Sequence, residues 1–147
     1  MPRLLVICAL VLMAACSGSS SDDDASSGAP VTVDPCTLVS DAEVEAVLGT
    51  VPAPTSKDDG TYRACTWADE AGGSVLVGVG DCCIAKPEPC PVCEDVTLAD
   101  GGYVSIGEAQ STVEVNDGEF YLSITTTDVT VNAQELEDLA ASALDGM

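Results

Sequence analysis

The stretch Ser111-Thr-Val-Glu-Val-Asn-Asp-Gly-Glu-Phe-Tyr-Leu-Ser-Ile-Thr-Thr-Thr127 decides the fold. Apolar and polar side chains alternate on both sides of Asp117-Gly118, and successive side chains of an extended strand point to opposite faces. An Asp-Gly pair between two alternating runs is a strong hairpin signal, because a type I′ turn needs two left-handed residues. The reading is therefore a hairpin of strands 111–115 and 119–127. A two-residue turn at Asp117-Gly118 sets Val115 opposite Phe120 and Val113 opposite Leu122, so these four and Ile124 form one apolar face.

The pattern extends outward from this hairpin. On its C-terminal side, Asn132-Ala133-Gln134-Glu135 is a helix-opening capping box, and Leu136, Leu139, Ala140, Ala143 and Leu144 fall on one helical face. Glu135, Glu137 and Asp138 form a solvated first turn that suits the helix dipole. On the N-terminal side, Val75, Val77 and Val79 alternate through a strand at 74–79. Arg63, Cys65 and Trp67 share one face of another at 62–67, and 103–106 forms a further strand after the Asp100-Gly101-Gly102 turn. Asp58-Asp59-Gly60 is a turn. Ser40-Asp41-Ala42-Glu43 is a second capping box, with Val39 and Val44 at the staple positions and Gly49 as the left-handed stop. These elements predict one α+β domain over 31–147, a mostly antiparallel sheet with an N-terminal and a C-terminal helix packed on one face and stapled by disulfides.

Residues 1–30 read as an address. Arg3, an apolar run from Leu4 to Met13 expected to be helical, and Ala14-Ala15 have the form of a signal peptide over 1–15, and the run is too short to span a bilayer. Cys16 follows at once, and composition then turns to Ser, Gly and Asp, a flexible tether over 16–30. Leu12-Met13-Ala14-Ala15-Cys16 resembles the lipobox of bacterial lipoproteins, with Met13 where that pattern usually has Leu. The resemblance implies that Cys16 is acylated and becomes the mature N-terminus. The expected location is the extracytoplasmic side of a cell membrane or envelope, and the first partner is the membrane, held through the lipid.

Composition narrows the function. Once the leader is removed, Lys57, Arg63 and Lys86 stand against 25 acidic residues, a surface that repels nucleic acid. With no histidine in the chain, Ser-His-Asp, Cys-His and His-based zinc chemistry are excluded. Five aromatic residues, Tyr62, Trp67, Tyr103, Phe120 and Tyr121, are too few to stack single-stranded bases. No phosphate-binding or dinucleotide-binding glycine motif follows a strand.

Asp34-Pro35-Cys36, the capped helix ending in Leu48-Gly49, and Cys65-Thr66-Trp67 on a strand together resemble a family of actinobacterial lipoproteins built around a domain of unknown function. The likeness covers about 31–67, and it implies a Cys36–Cys65 disulfide and no catalytic residue. A related resemblance is to small extracellular sensor domains of bacterial receptor kinases, which present a cleft on an α+β scaffold. Cys82, Cys83, Cys90 and Cys93 lie in a proline-rich loop, and in an oxidising compartment they are expected to form disulfides, Cys82 and Cys83 pairing across the loop with Cys90 and Cys93. A zinc or iron-sulfur site competes, but adjacent Cys82 and Cys83 suit one tetrahedral ion poorly. A thioredoxin-type redox role for Cys90-Pro91-Val92-Cys93 also competes, yet such a pair wants a helix after its first cysteine. The expectation is a non-enzymatic module that binds a small ligand or an envelope protein, with no cofactor, metal or catalytic residue assigned; the alternative is a redox or metal-handling protein using the four loop cysteines.

Overall fold

The computed structural model describes residues 30–81, 84–88, 90–118 and 120–147. The leader at 1–15 with its helical apolar run, the Cys16 anchor, the tether as far as 29, and Cys82 and Cys83 lie outside the described residues. No helix among the described residues is long and apolar enough to cross a membrane.

After a 3-10 turn at Pro35–Thr37, the elements are α1 (Asp41–Leu48), β1 (Thr55–Asp58), β2 (Tyr62–Ala68), β3 (Ser74–Asp81), β4 (Cys93–Val96), β5 (Gly102–Ser105), β6 (Gln110–Asp117), β7 (Phe120–Thr127) and α2 (Ala133–Asp145). The seven strands form one sheet in the order β1-β2-β3-β7-β6-β5-β4, antiparallel at every joint. Two meanders, β1 to β3 and β4 to β7, are thus zipped together along β3 and β7.

Alternation sets the two faces. Trp67, Val75, Val77, Val79, Val104, Val113, Val115, Leu122 and Ile124 are buried on one side, where Val44 of α1 and Leu136, Leu139, Ala140 and Ala143 of α2 close the core. Each fully buried aliphatic side chain contributes about 1.5–3 kcal/mol, so this face holds the fold together.

Both helices begin with reciprocal caps. In α1 the Ser40 amide donates to the Glu43 carboxylate at 2.7 Å, the Glu43 amide donates back to Ser40 Oγ at 3.4 Å, and Gly49 closes the helix at a φ of 75°. In α2 the Asn132 amide donates to Glu135 at 2.8 Å and the Glu135 amide to Asn132 Oδ1 at 3.0 Å. Burial acts to raise the Glu43 pKa, but hydrogen bonds from Ser142 and Ser40 outweigh it, and the carboxyl ends below its ordinary value. One side chain therefore caps α1 and ties it to α2.

The Cys36–Cys65 disulfide is present and joins the 3-10 turn to fully buried Cys65 on β2. Beside it, Arg63 donates to the carbonyls of Thr32 and Val33 at 3.2 and 2.8 Å, fastening the entering chain to the sheet.

Two expectations are corrected, and two strands are new. The hairpin pairs Asp117 with Phe120, Val115 with Leu122 and Val113 with Ile124, so its connection is 118–119 and the register differs by two residues. Gly118, not Asp117, takes a left-handed φ of 61°, and its amide is captured by the Asp100 carboxylate at 2.9 Å. A two-residue slip preserves the face, which is why the apolar side was read correctly. Cys90 and Cys93 are bonded to each other rather than across the loop to Cys82 and Cys83. The Cys93 amide donates to the Cys90 carbonyl at 3.3 Å, and this turn through Pro91-Val92 brings the two Cα atoms to 5.4 Å, within disulfide range. Finally, β1 and β4 were not anticipated: both are four-residue edge strands, β1 polar throughout and β4 contributing only Val96 to the core, with no apolar alternation to reveal them.

Candidate functional site

The core face is consumed by packing; the other face of the sheet carries the chemistry. Register places one row of residues across all seven strands on that side: Lys57, Ala64, Gly78, Ser123, Glu114, Tyr103 and Asp95. One step along the strands lie Tyr62, Gly80, Tyr121 and Asn116, and one step the other way Thr66, Leu76, Thr125, Thr112, Ser105 and Cys93.

Glycine makes room for the tyrosines. A Cβ at Gly78 would land on the Tyr62 phenol, and one at Gly80 on the Tyr121 ring. Interior strand glycines mark such close approaches. The two rings stack over this floor at 6.3 Å between centroids with 23° between planes.

Glu114 sits at the centre. Tyr103 Oη donates to one carboxylate oxygen, and Ser123 Oγ donates to the other at 3.4 Å. Burial raises the Tyr103 pKa well above the ordinary phenol value, and the hydrogen bond to Glu114 and its negative charge push it further. Burial also raises Tyr62 and Tyr121. Lys57 opposes the shift at Tyr62, while Glu114 adds to both. All three phenols thus keep their protons to higher pH than a free phenol, and Tyr103 is the one shown donating to Glu114 among the described residues.

The loop leaving β3 crosses this face. Ile84 exchanges two hydrogen bonds with the Asn116 side chain, at 2.8 and 3.0 Å, and Lys86 pairs with Asp95 at 2.8 Å. Farther on, Pro87, Cys90 and Cys93 wall a hollow of about 410 Å³ whose other sides are Tyr103, Ser105, Gln110, Thr112, Glu114 and Thr125. Thr112 and Thr125 face each other there, hydroxyl to hydroxyl at 3.1 Å. The volume suits a small polar molecule. A second hollow, of about 260 Å³ between α1 and α2, has Val47, Val131 and Leu139 on its walls, and two of its carboxylates, Glu43 and Glu135, serve the helix caps.

Of the cysteines singled out in the sequence, Cys36 and Cys65 lie on the core side, whereas Cys90 and Cys93 border the sheet-face hollow. Among the described residues no group of three or more Cys, Asp or Glu side chains is arranged to hold a metal ion. Glu114, Tyr62, Tyr103 and Tyr121 were not anticipated as a site. The available signals were the alternation that sends Thr112, Glu114 and Asn116 to the polar side and the two glycines inside β3. Compared with known proteins, the chain matches no family model, no curated protein and no solved structure.

Proposed function

We propose that this protein is a lipid-anchored binding module of the cell envelope, tethered through Cys16, which holds a small ligand on the open face of its sheet without transforming it. One observation carries the reading: Glu114, Tyr103 and a Thr/Ser/Gln lining converge on a hollow beneath the Cys90–Cys93 loop, on the side of the sheet that the core does not use. Two disulfides fit an oxidising extracytoplasmic compartment. The resemblance of the first third of the domain to actinobacterial lipoproteins points the same way.

The test has two parts. Full-length protein should partition into detergent and carry an acyl mass on residue 16, with Cys16→Ser releasing it to the aqueous phase; an unmodified sulfur in membrane-extracted protein refutes the anchor. A small-molecule fragment screen by NMR on the detergent-solubilised chain should perturb Glu114, Tyr103, Thr112 and Thr125. Fragments collecting between α1 and α2 instead would refute the site.

A second reading, disulfide exchange at Cys90–Cys93, is favoured by the position of that bond on the wall of the hollow. It ranks below because the chain after Cys90 is a turn leading into β4, with no helix N-terminus to stabilise a thiolate. A Cys90→Ala/Cys93→Ala variant that keeps fragment binding separates the two readings.

A further inference from the structure

We infer that the ligand of the sheet-face hollow is a small organic cation, an ammonium or guanidinium compound carrying hydrogen-bonding groups. The inference rests on the open face being the binding face and adds the charge of what binds there.

Among the described residues, no ion pair involves Glu114. The described chain has three basic side chains, and each ion pair is made with another acid: Lys57 with Asp59 at 2.8 Å, Arg63 with Asp58 at 3.0 Å, and Lys86 with Asp95 at 2.8 Å. Glu114 is held by the hydroxyls of Tyr103 and Ser123. Neutral donors orient a carboxylate and leave its charge in place. Glu114 is half-buried, and partial removal from water strengthens the attraction of a carboxylate for a cation, because the local dielectric is lower than that of bulk water.

The hollow is walled by Glu114, the Tyr103 ring, three hydroxyl side chains and the Gln110 amide, with no basic side chain among the described residues that form it. An aromatic ring beside a carboxylate is a favourable setting for an organic cation, which gains from the ring's negative face as well as from the charge. The hydroxyl row of Ser105, Thr112 and Thr125 lies beside the carboxylate and supplies partners for polar groups elsewhere on the ligand. On the far side of the Glu114 row, Tyr62 and Tyr121 stack on each other and add aromatic surface to the same face. Lys86, the one basic side chain among the described residues that line the adjoining hollow, is paired with Asp95 at the loop.

The chain as a whole has a formal net charge of −21, which concentrates cations at its surface and repels anions.

The experiment titrates the detergent-solubilised full chain with choline and agmatine, and in parallel with their uncharged isosteres dimethylbutanol and pentylurea, following amide and tyrosine ring signals by NMR. At least one of the cations should saturate the signals of Tyr103, Glu114, Thr112 and Thr125, its isostere should bind about tenfold more weakly or worse, and affinity should fall as salt is raised. Glu114→Gln, which keeps both hydroxyl partners, should weaken the cation about tenfold. Should that variant fail to fold, the salt dependence and the isostere comparison on the unaltered chain decide the matter. Isosteres binding as well as the cations would overturn the cation while leaving the face as the site. Signals moving elsewhere on the molecule, or not moving at all, would overturn both.

Discussion

Removing the Cys36–Cys65 bond should cost this domain far more than removing Cys90–Cys93, although both are two-sulfur crosslinks. The first closes a loop of sequence separation 29, the second one of separation 3. In the chain-entropy account of disulfides, the stabilisation grows with the logarithm of loop length, giving about 3.6 kcal/mol for the long loop and about 2 for the short one. Cys65 is also fully buried in the core while Cys90 and Cys93 border an open hollow, so truncation to alanine leaves a void only at the first, adding about 1 kcal/mol. The pair Cys36→Ala/Cys65→Ala is therefore expected to lower stability by about 4 to 5 kcal/mol and the pair Cys90→Ala/Cys93→Ala by at most about 2. Converted with the unfolding entropy of a domain this size, these are drops in Tm of about 15 to 20 °C against about 8 °C. Urea titration followed by Trp67 fluorescence, with the slope of the transition checked for constancy, reads both variants. Equal losses, or a larger loss at Cys90–Cys93, would refute the reasoning, because neither loop length nor burial would then govern the contribution.

Other outcomes follow from single residues. Gly102→Ala should destabilise by about 3 kcal/mol, since its Cβ would fall on the Glu114 carbonyl of β6, and two paired backbones cannot part as a side chain can; urea midpoints and loss of amide protection along β5 would report it. Ser40→Ala should cost about 1 kcal/mol by removing one half of the α1 capping box, and a change below a few tenths would show the cap to be dispensable. Tyr62, Tyr103 and Tyr121 all have folded pKa values above the ordinary phenol value, so the native state holds their protons more tightly than the unfolded chain. Their contribution is intact below about pH 10 and declines as pH rises through the folded values. Urea midpoints taken toward high pH should fall, and less steeply in Tyr103→Phe.

Legibility in the sequence followed the range of the interactions. Capping boxes at Ser40 and Asn132 and the valine alternation of β3 are local, and each formed where expected. The hairpin register goes with a contact that local patterning does not contain, the hydrogen bond from the Gly118 amide to Asp100, eighteen residues away. The Cys90–Cys93 bond depended on the turn through Pro91-Val92, which sulfur counting alone does not reveal. Glu114 meets Ser123 only through the register of β6 on β7, and Tyr103 through that of β5 on β6, so the site had no contiguous signature.

The two margins of the sheet have a consequence for crowding. Thr55–Asp58 and Cys93–Val96 are four residues each and carry Lys57, Asp58, Glu94 and Asp95. Open edges are where neighbouring molecules graft onto one another and seed fibrils, and short charged borders discourage such grafting. Many copies packed side by side should therefore remain separate molecules, each with its tyrosine-lined face unobstructed.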